Sequence, residues 1–514
     1  MHDLAQTAPT SQPFPRIAIV GAGPGGLLCA RVLQQRGVPV TVYDLDPSLE
    51  ARDAGGTLDM HADTGQIALE DAGLLPDVLA LARFQDQAKR SMDRHAHLHG
   101  EYVPAPDEQG APEIDRGQLR ALLAASLAPG TVQWGHKLRQ VVPLGHGVHR
   151  LEFGNGVTAE TELLIGADGA WSRVRPLLSP AGPHYSGVTF LGVRYDDVDT
   201  RHPEIARMVG AGHLFANGGD GRAIIAQRSS GGRVFGYLAF RAEADWPEQA
   251  GIDLNDRGAV LGWLRQHYQG WSGQFLSFLA ESDVPFVNRP IMELPAPLTW
   301  ATVPGVTLLG DAAHVMSPFG GFGANLALLD GAELARAIGQ EPDLRAAVTR
   351  YEATMLARAG ELAVQANAAL DAFFSTTGQL HEAPDHAAEK EHYRRNAAEY
   401  RRRQSGTPAA LSPETGVAGT WQVAYRTPKG EQQADLHLTL DGGALSGDFN
   451  GQPIEQGQVS GQTLSFRALI TSPMKVNVAF QVTVDGDHLS GEAKLPFMSL
   501  PVSGQRTRAV RGRA

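Results

Sequence analysis

Residues 17–26 read Ile-Ala-Ile-Val-Gly-Ala-Gly-Pro-Gly-Gly, and their context decides the fold. The apolar run Ile17–Val20 has the length and composition of a buried strand. Gly21, Gly23 and Gly26 follow at the spacing Gly-x-Gly-x-x-Gly. Leu27–Arg36 is helical in pattern, Gly37 punctuates, and a second strand, Pro39–Tyr43, ends on Asp44. Strand, tight turn, helix, strand and acid open a doubly wound parallel sheet built around a dinucleotide. Gly21 permits the turn, Gly23 lets the backbone approach a pyrophosphate, and Gly26 lets helix and strand pack closely. Asp44, eighteen residues past Gly26, is placed to hold an adenosine ribose.

Two later stretches extend this unit. Leu163–Ile165 reads as a short strand leading into Gly166-Ala167-Asp168-Gly169-Ala170-Trp171-Ser172-Arg173-Val174-Arg175. Val306–Leu309 reads as another buried strand. It runs into an acidic turn, Gly310 and Asp311, and then a loop rich in proline and glycine. A helix is expected from about Asn325. Such a loop offers bare backbone N–H groups and a positive helix end to something that becomes anionic. Asp311 suits a sugar-type hydroxyl. His314 reads as orienting the loop rather than as a base, and Phe319 and Phe322 read equally as core or as the lining of a dry site. No catalytic acid or base stands out.

Together these stretches carry a resemblance. Gly-x-Gly-x-x-Gly at the start, Asp-Gly at 168–169 and Gly-Asp at 310–311 are similar to the three fingerprints of single-component (class A, aromatic-hydroxylase-type) flavin monooxygenases. The match spans roughly residues 14–375. Within that superfamily the chain most resembles the tetracycline-inactivating flavin monooxygenases. Four segments carry the likeness: Val42-Tyr43-Asp44; Glu50-Ala51-Arg52; Gly55-Gly56-Thr57-Leu58-Asp59 with His61; and Glu113-Ile114-Asp115-Arg116 through Leu119-Arg120. Two departures stand out. Leu45 follows Asp44 where many relatives carry a basic residue, and the polar residues of the substrate region, Asp220, Arg222, Gln227 and Arg228, do not match the polar residues that hold tetracycline in those relatives.

The resemblance implies FAD, with NADPH or NADH as co-substrate, and O2 delivered as one atom to an aromatic or polycyclic small molecule through a flavin hydroperoxide. It implies an FAD site built from Gly21, Gly23, Gly26, Asp44, Asp59, Arg116, Arg120, Asp168, Gly169, Asp311, Pro318, Gly321, Gly323, Ala324 and Asn325. Arg52 would lie near the flavin and help receive the nicotinamide donor. The backbone at Gly321–Asn325 would stabilise the negative charge of the reduced ring. The alternatives are a dehydrogenase or oxidase on the same fold, or a flavin-binding protein whose C-terminal barrel holds a ligand. A halogenase is disfavoured, because its Trp-x-Trp-x-x-Pro signature is absent.

Composition agrees with an enzyme of this kind. The 514 residues exceed one core, so two or three domains are expected. A net charge of −12 argues against nucleic acid or an anionic membrane as the main partner. The single cysteine, Cys29, excludes an intrachain disulfide and reads as a packing residue; no metal site is indicated. No signal-peptide core and no run of roughly eighteen apolar residues is present, so a cytoplasmic monomer or homodimer is expected.

Along the chain, residues 1–13 read as a flexible tail. Residues 14–185 and 296–343 read as the Rossmann-like FAD-binding domain, and 186–295 as an inserted β-sheet substrate domain. A long bracing helix covers 344–375, with apolar positions Ala347, Tyr351, Met355, Leu362 and Val364. Residues 376–415 read as a separator, a charged helix over His386–Arg403 and then a linker. Residues 416–510 read as a separate all-β barrel or sandwich. Its turns recur at Asp441-Gly442-Gly443, Ser460-Gly461 and Asp485-Gly486-Asp487, and Gly419-Thr420-Trp421 weakly resembles the opening of lipocalin-like barrels.

Overall fold

In the computed structural model, Ile17–Val20 is the middle strand of a five-stranded parallel sheet. The order is Val306–Leu308, Leu163–Gly166, Ile17–Val20, Val40–Tyr43, Val132–Gln133. The structure describes residues 16–51, 55–378, 384–404, 419–427, 430–441, 444–460, 463–470, 476–485, 487–495 and 498–509. The tail at 1–13, Arg52 and the linker after 404 lie outside them. Two compact units divide at Ala398 and Glu399, so most of the charged helix belongs with the first.

All four residues of Ile17–Val20 are buried, which is why the run is apolar rather than alternating. The following helix spans Pro24–Gln35, three residues earlier than expected, because proline is well suited to the first helical position. A second helix, Phe322–Gln340, crosses it closely. A methyl group on Gly25 would sit 2.5 Å from the Ala327 carbonyl oxygen, and one on Gly331 would sit 2.5 Å from that of Gly25. This second helix starts at Phe322, not Asn325, because Gly321 takes the left-handed conformation (φ 67°) that sets its N-terminus. Asp311–His314, expected as loop, forms a short helix. Cys29 is buried between these helices.

The second sheet has seven strands in the order Val287–Glu293, His184–Tyr195, Arg233–Arg241, Arg222–Ser229, His213–Asn217, Lys89–Asp93, Leu98–Tyr102. Its last two strands come from the stretch that the sequence reading left wholly in the FAD-binding domain. One face buries Leu191, Val193, Tyr195, Leu214, Ala216, Ile224, Ala226, Leu238 and Phe240 against the helices Pro203–Val209, Arg257–His267 and Leu276–Ala280. On the other face Phe215, Ile225, Gln227, Phe235 and Tyr237 are half-buried.

The helix Leu344–Phe373 links the two sheets. Asp343 caps it, accepting from the Ala346 N–H at 2.8 Å. Near its start, the Tyr351 hydroxyl donates to Leu308 O, and Glu352 accepts from Trp300, Thr302 and Thr307. Near its end, Leu370 and the following Phe374 pack on Val188, Phe190, Ala223 and Ala239 of the seven-stranded sheet. The buried stripe is Ala347, Tyr351, Met355, Ala359, Ala363, Ala366 and Leu370; Val364, expected in it, points to solvent.

The second unit is one nine-stranded antiparallel sheet, so the barrel alternative holds rather than the sandwich. Gly419–Thr427 pairs with both Gly430–Asp441 and Met498–Ala509. Only Gln452–Pro453 and Glu455–Ser460 leave the ring unjoined, giving a nearly closed barrel. Trp421, Phe449, Phe466, Phe480, Leu436 and Leu464 fill its core. Arg506 lies 4.3 Å over the Trp421 ring.

Candidate active site

The turn after Ile17–Val20 separates two uses of glycine. A methyl group on Gly21 (φ 112°) would collide with the Ala167 carbonyl, and one on Gly26 with the Gly21 carbonyl. On Gly23 it would meet nothing within 4 Å. Gly21 and Gly26 are therefore bare for packing, whereas Gly23 borders open space at the uncapped start of the helix Pro24–Gln35. That is the geometry of an anion cradle.

Asp44 is buried at the edge of this cradle. Its carboxylate accepts the Ala22 N–H at 2.6 Å and the Asp46 N–H at 2.8 Å. Arg120 donates to Ala22 O at 3.0 Å, pairs with Asp46 at 2.9 Å and lies over the Trp134 ring. Arg120 thus holds the turn from beneath, a supporting position rather than the open one expected for a phosphate ligand. Asp46 was not foreseen. Asp168 is likewise engaged locally, accepting from the Ser172 hydroxyl at 2.6 Å and the Arg173 N–H at 2.7 Å. It fastens its own turn, and Gly169 (φ 80°) completes it. Arg116 begins the helix Arg116–Ala125, and its exposed side chain has no hydrogen bond or ion pair among the described residues.

The loop Pro318–Asn325 is knitted to the segment Asp59–His61. Asn325 accepts the His61 N–H at 2.9 Å and donates to Asp59 O at 2.7 Å and Gly321 O at 2.9 Å. The Asp59 carboxylate lies against Gly321 and 3.1 Å from His61 Nε2. Burial opposes its ionisation, but His61, with Lys89 and Lys390 behind it, holds the carboxyl below the ordinary range. The helix behind Gly321 has no side-chain cap, so its first N–H groups, at Gly323 and Ala324, are available to an anion. Asp311 is exposed and makes no bond among the described residues. His314 is buried, 2.6 Å from Asp330, which also accepts from Arg358 and the Gly310 N–H. It braces the loop, as the sequence suggested.

Across from this loop lies the half-buried face of the seven-stranded sheet. Phe215, Ile225 and Tyr237 stand in register on adjacent strands, and Ile225 and Tyr237 share one cluster with Phe319, Phe190 and Phe373. The neighbouring row is Lys89, His213, Gln227 and Phe235. At its polar end the buried Glu113 is 2.9 Å from His213 Nε2 and 3.1 Å from Gln227 Nε2. Of the four polar residues expected in the substrate region, only Gln227 reaches this face. Arg222 is held by His267 O and Asp220, and Arg228 by Asp199.

The helix expected over His386–Arg403 forms as His386–Gln404, but its place beside this site was not legible in the sequence. Tyr393 stacks on His61 at 4.3 Å, and Arg394 reaches both oxygens of Glu108 at 2.6 Å. The signal was present as the stripe Lys390, Tyr393, Ala397, all buried and at helical spacing. No metal-binding cluster and no helix long and apolar enough to cross a membrane occurs among the described residues.

Residues 16–251 and 302–360 match the protein family described as an FAD binding domain. The phenazine 1,6-dicarboxylic acid hydroxylase PhzS of Lysobacter antibioticus is 32% identical over 371 residues, covering 66% of this chain and 85% of that enzyme. The 6-hydroxynicotinate 3-monooxygenase of Pseudomonas fluorescens is 30% identical over 377 residues, covering 68% of this chain and 89% of that enzyme. Among solved structures, the tetracycline destructase Tet(51) superposes with a TM-score of 0.54 at 18% identity, over 78% of this chain and 100% of its own.

Proposed function

The chain belongs to the FAD binding domain family, whose matched members are monooxygenases and hydroxylases, and on that premise we propose that it uses NAD(P)H and O2 to insert one oxygen atom into an aromatic or polycyclic small molecule in the cytoplasm. One observation carries the reading. The open cradle at Gly23 and the uncapped helix behind Gly321 belong to one unit, and an aromatic-lined sheet face packs against the loop between them. The residues fit FAD. Gly23 admits the pyrophosphate, with Gly21 and Gly26 shaping its turn and Arg120 supporting it. Asp44 takes the ribose, and Asp311 a ribityl or sugar hydroxyl. Arg116 supplies charge-assisted contacts to FAD, and Arg52, outside the described residues, is the candidate to help receive the nicotinamide donor. Asp168 and Gly169 hold the middle turn.

When bound, FAD supplies the hydride acceptance and oxygen chemistry. Pro318, Gly321 and Asn325 shape the loop, and Gly323 and Ala324 present backbone N–H groups of a helix end to negative charge on the ring. Phe215, Ile225, Tyr237 and Phe319 receive a flat apolar substrate and exclude water. The two named relatives act on aromatic acids, as their names state, which supports an aromatic substrate here. Substrate-stimulated NAD(P)H oxidation with oxygen uptake, and a product heavier by one oxygen, is the expected result. A product oxidised without added oxygen would favour the dehydrogenase or oxidase reading. The barrel, filled by large side chains, fits a stability role better than a ligand-binding one.

A further inference from the structure

We propose that the Lys390 ammonium receives an ionised oxygen on the aromatic substrate, an enolate, phenolate or carboxylate, at the polar corner of the site. This rests on the monooxygenase reading and adds to it the charge of the substrate. Lys390 is 1% exposed. Its ammonium lies 5.5 Å over the Tyr393 ring and makes no hydrogen bond or ion pair among the described residues. Its stem is seated on Gly110, where a methyl group would come within 2.8 Å of Lys390 Cβ.

The acids around it are already engaged. Asp59 is held by His61, Glu113 by His213 and Gln227, and Glu389 by His386 and Tyr393. Burial, and then the like charge of Lys89, pull the Lys390 ammonium below its ordinary pKa, against the attraction of those acids. A buried charge without a direct partner is costly unless something supplies the partner. The position says what that is. Tyr393 stacks on His61, which is edge-on to Phe322 of the loop, and Lys89 and Glu113 tie the corner to the row His213, Gln227, Phe235. An anionic oxygen on a ring lying along Phe215 and Tyr237 would meet Lys390 there. Holding the ring ionised also makes it richer in electrons, as oxygen insertion into an aromatic requires.

The test uses the holoenzyme in its oxidised state, without NAD(P)H, and two matched pairs of probes. These are 2-hydroxy-1,4-naphthoquinone against its methyl ether, and 2-naphthoate against its methyl ester. Binding is read from the change in the visible spectrum of the bound flavin. The wild-type protein is expected to prefer the anion of at least one pair by about tenfold or more. The quinone pair alone would identify an enolate or phenolate, and the naphthoate pair a carboxylate. Lys390→Met and Lys390→Gln should collapse that preference while leaving binding of the neutral partner and FAD content unchanged. Lys390→Met should also hold or raise the Tm, because a buried unpaired charge is removed. An anion preference unchanged in both variants, equal loss of neutral and anionic probes, or a wild-type holoenzyme that binds no anion better than its ester or ether, overturns the proposal. Those outcomes leave the monooxygenase reading standing if NAD(P)H oxidation remains coupled to oxygen insertion. A wild-type protein without FAD overturns both.

Discussion

Single atoms decide most at Gly23. Because a Cβ there meets nothing within 4 Å, Gly23→Val is expected to fold with a near-normal Tm and yet to lose the flavin. A folded Gly23→Val protein with full FAD content would remove the cradle assignment. Asp311, exposed and unbonded, offers a cleaner measure. A charge-assisted bond is worth roughly 1.5–3 kcal/mol, so Asp311→Ala should weaken FAD by about tenfold to a hundredfold, read by titration of apoprotein. Unchanged affinity would make Asp311 a turn residue.

His314 and Asp330 carry the pH dependence at this scale. Burial pulls the His314 imidazolium down, but the Asp330 carboxylate overrides it and raises the net pKa. Burial raises Asp330, but His314 and Arg358 override it and lower the net value. His314 therefore contributes full stability below its unfolded pKa, about 6.5, and loses it as pH rises through the raised value. Asp330 contributes above about 3.9 and loses its share as pH falls through the lowered one. The Tm gap between wild type and His314→Asn is expected to be widest between about pH 4 and 6.5 and to shrink above that window. A gap that grows with pH would refute the pair. The glycines and Asp44 were legible because their neighbours in sequence are their neighbours in space. Lys390 was not, because its surroundings come from residues 59, 89, 110 and 113, far away along the chain.

At the scale of elements, apolar pattern was a reliable guide and polar pattern was not. Ile17–Val20, Leu163–Gly166 and Val476–Asp485 formed where their runs lay. The strands Lys89–Asp93 and Leu98–Tyr102 escaped because they lie at one edge of the seven-stranded sheet, where burial does not impose alternation. The helix His386–Gln404 read as a solvated separator for the same reason: three buried positions among charges. Its hold is specific. The Glu108 pair of Arg394 is partly exposed and worth about 0.2–1 kcal/mol, so Tyr393 carries more of the attachment. Tyr393→Ala with Arg394→Ala is expected to speed limited proteolysis within 386–404 without changing FAD content. Equal protection of the double variant and the wild type would show that other contacts hold the helix.

For the whole molecule, the two compact units predict two separable behaviours. A chain ending near residue 405 is expected to fold, bind FAD and oxidise NAD(P)H. One ending near residue 384 should still bind FAD but lose the discrimination between ionised and neutral probes, because Lys390 and Tyr393 go with it. Failure of the 405 protein to hold FAD would make the barrel integral to the flavoprotein.

The strand order also dictates a schedule of birth. On the ribosome, Ile17–Val20 is made well before its sheet is complete, because Val306–Leu308 follows on the order of 300 residues later, roughly 15–60 s at typical rates of synthesis. The seven-stranded sheet has all its strands by Glu293, so the domain begun first is completed second. Through that interval the apolar strands that will flank the cradle stand partly uncovered, and the vitamin-derived cofactor has nowhere finished to dock. Flavin loading is thus a late event, which waits for Val306–Leu308 to join the sheet.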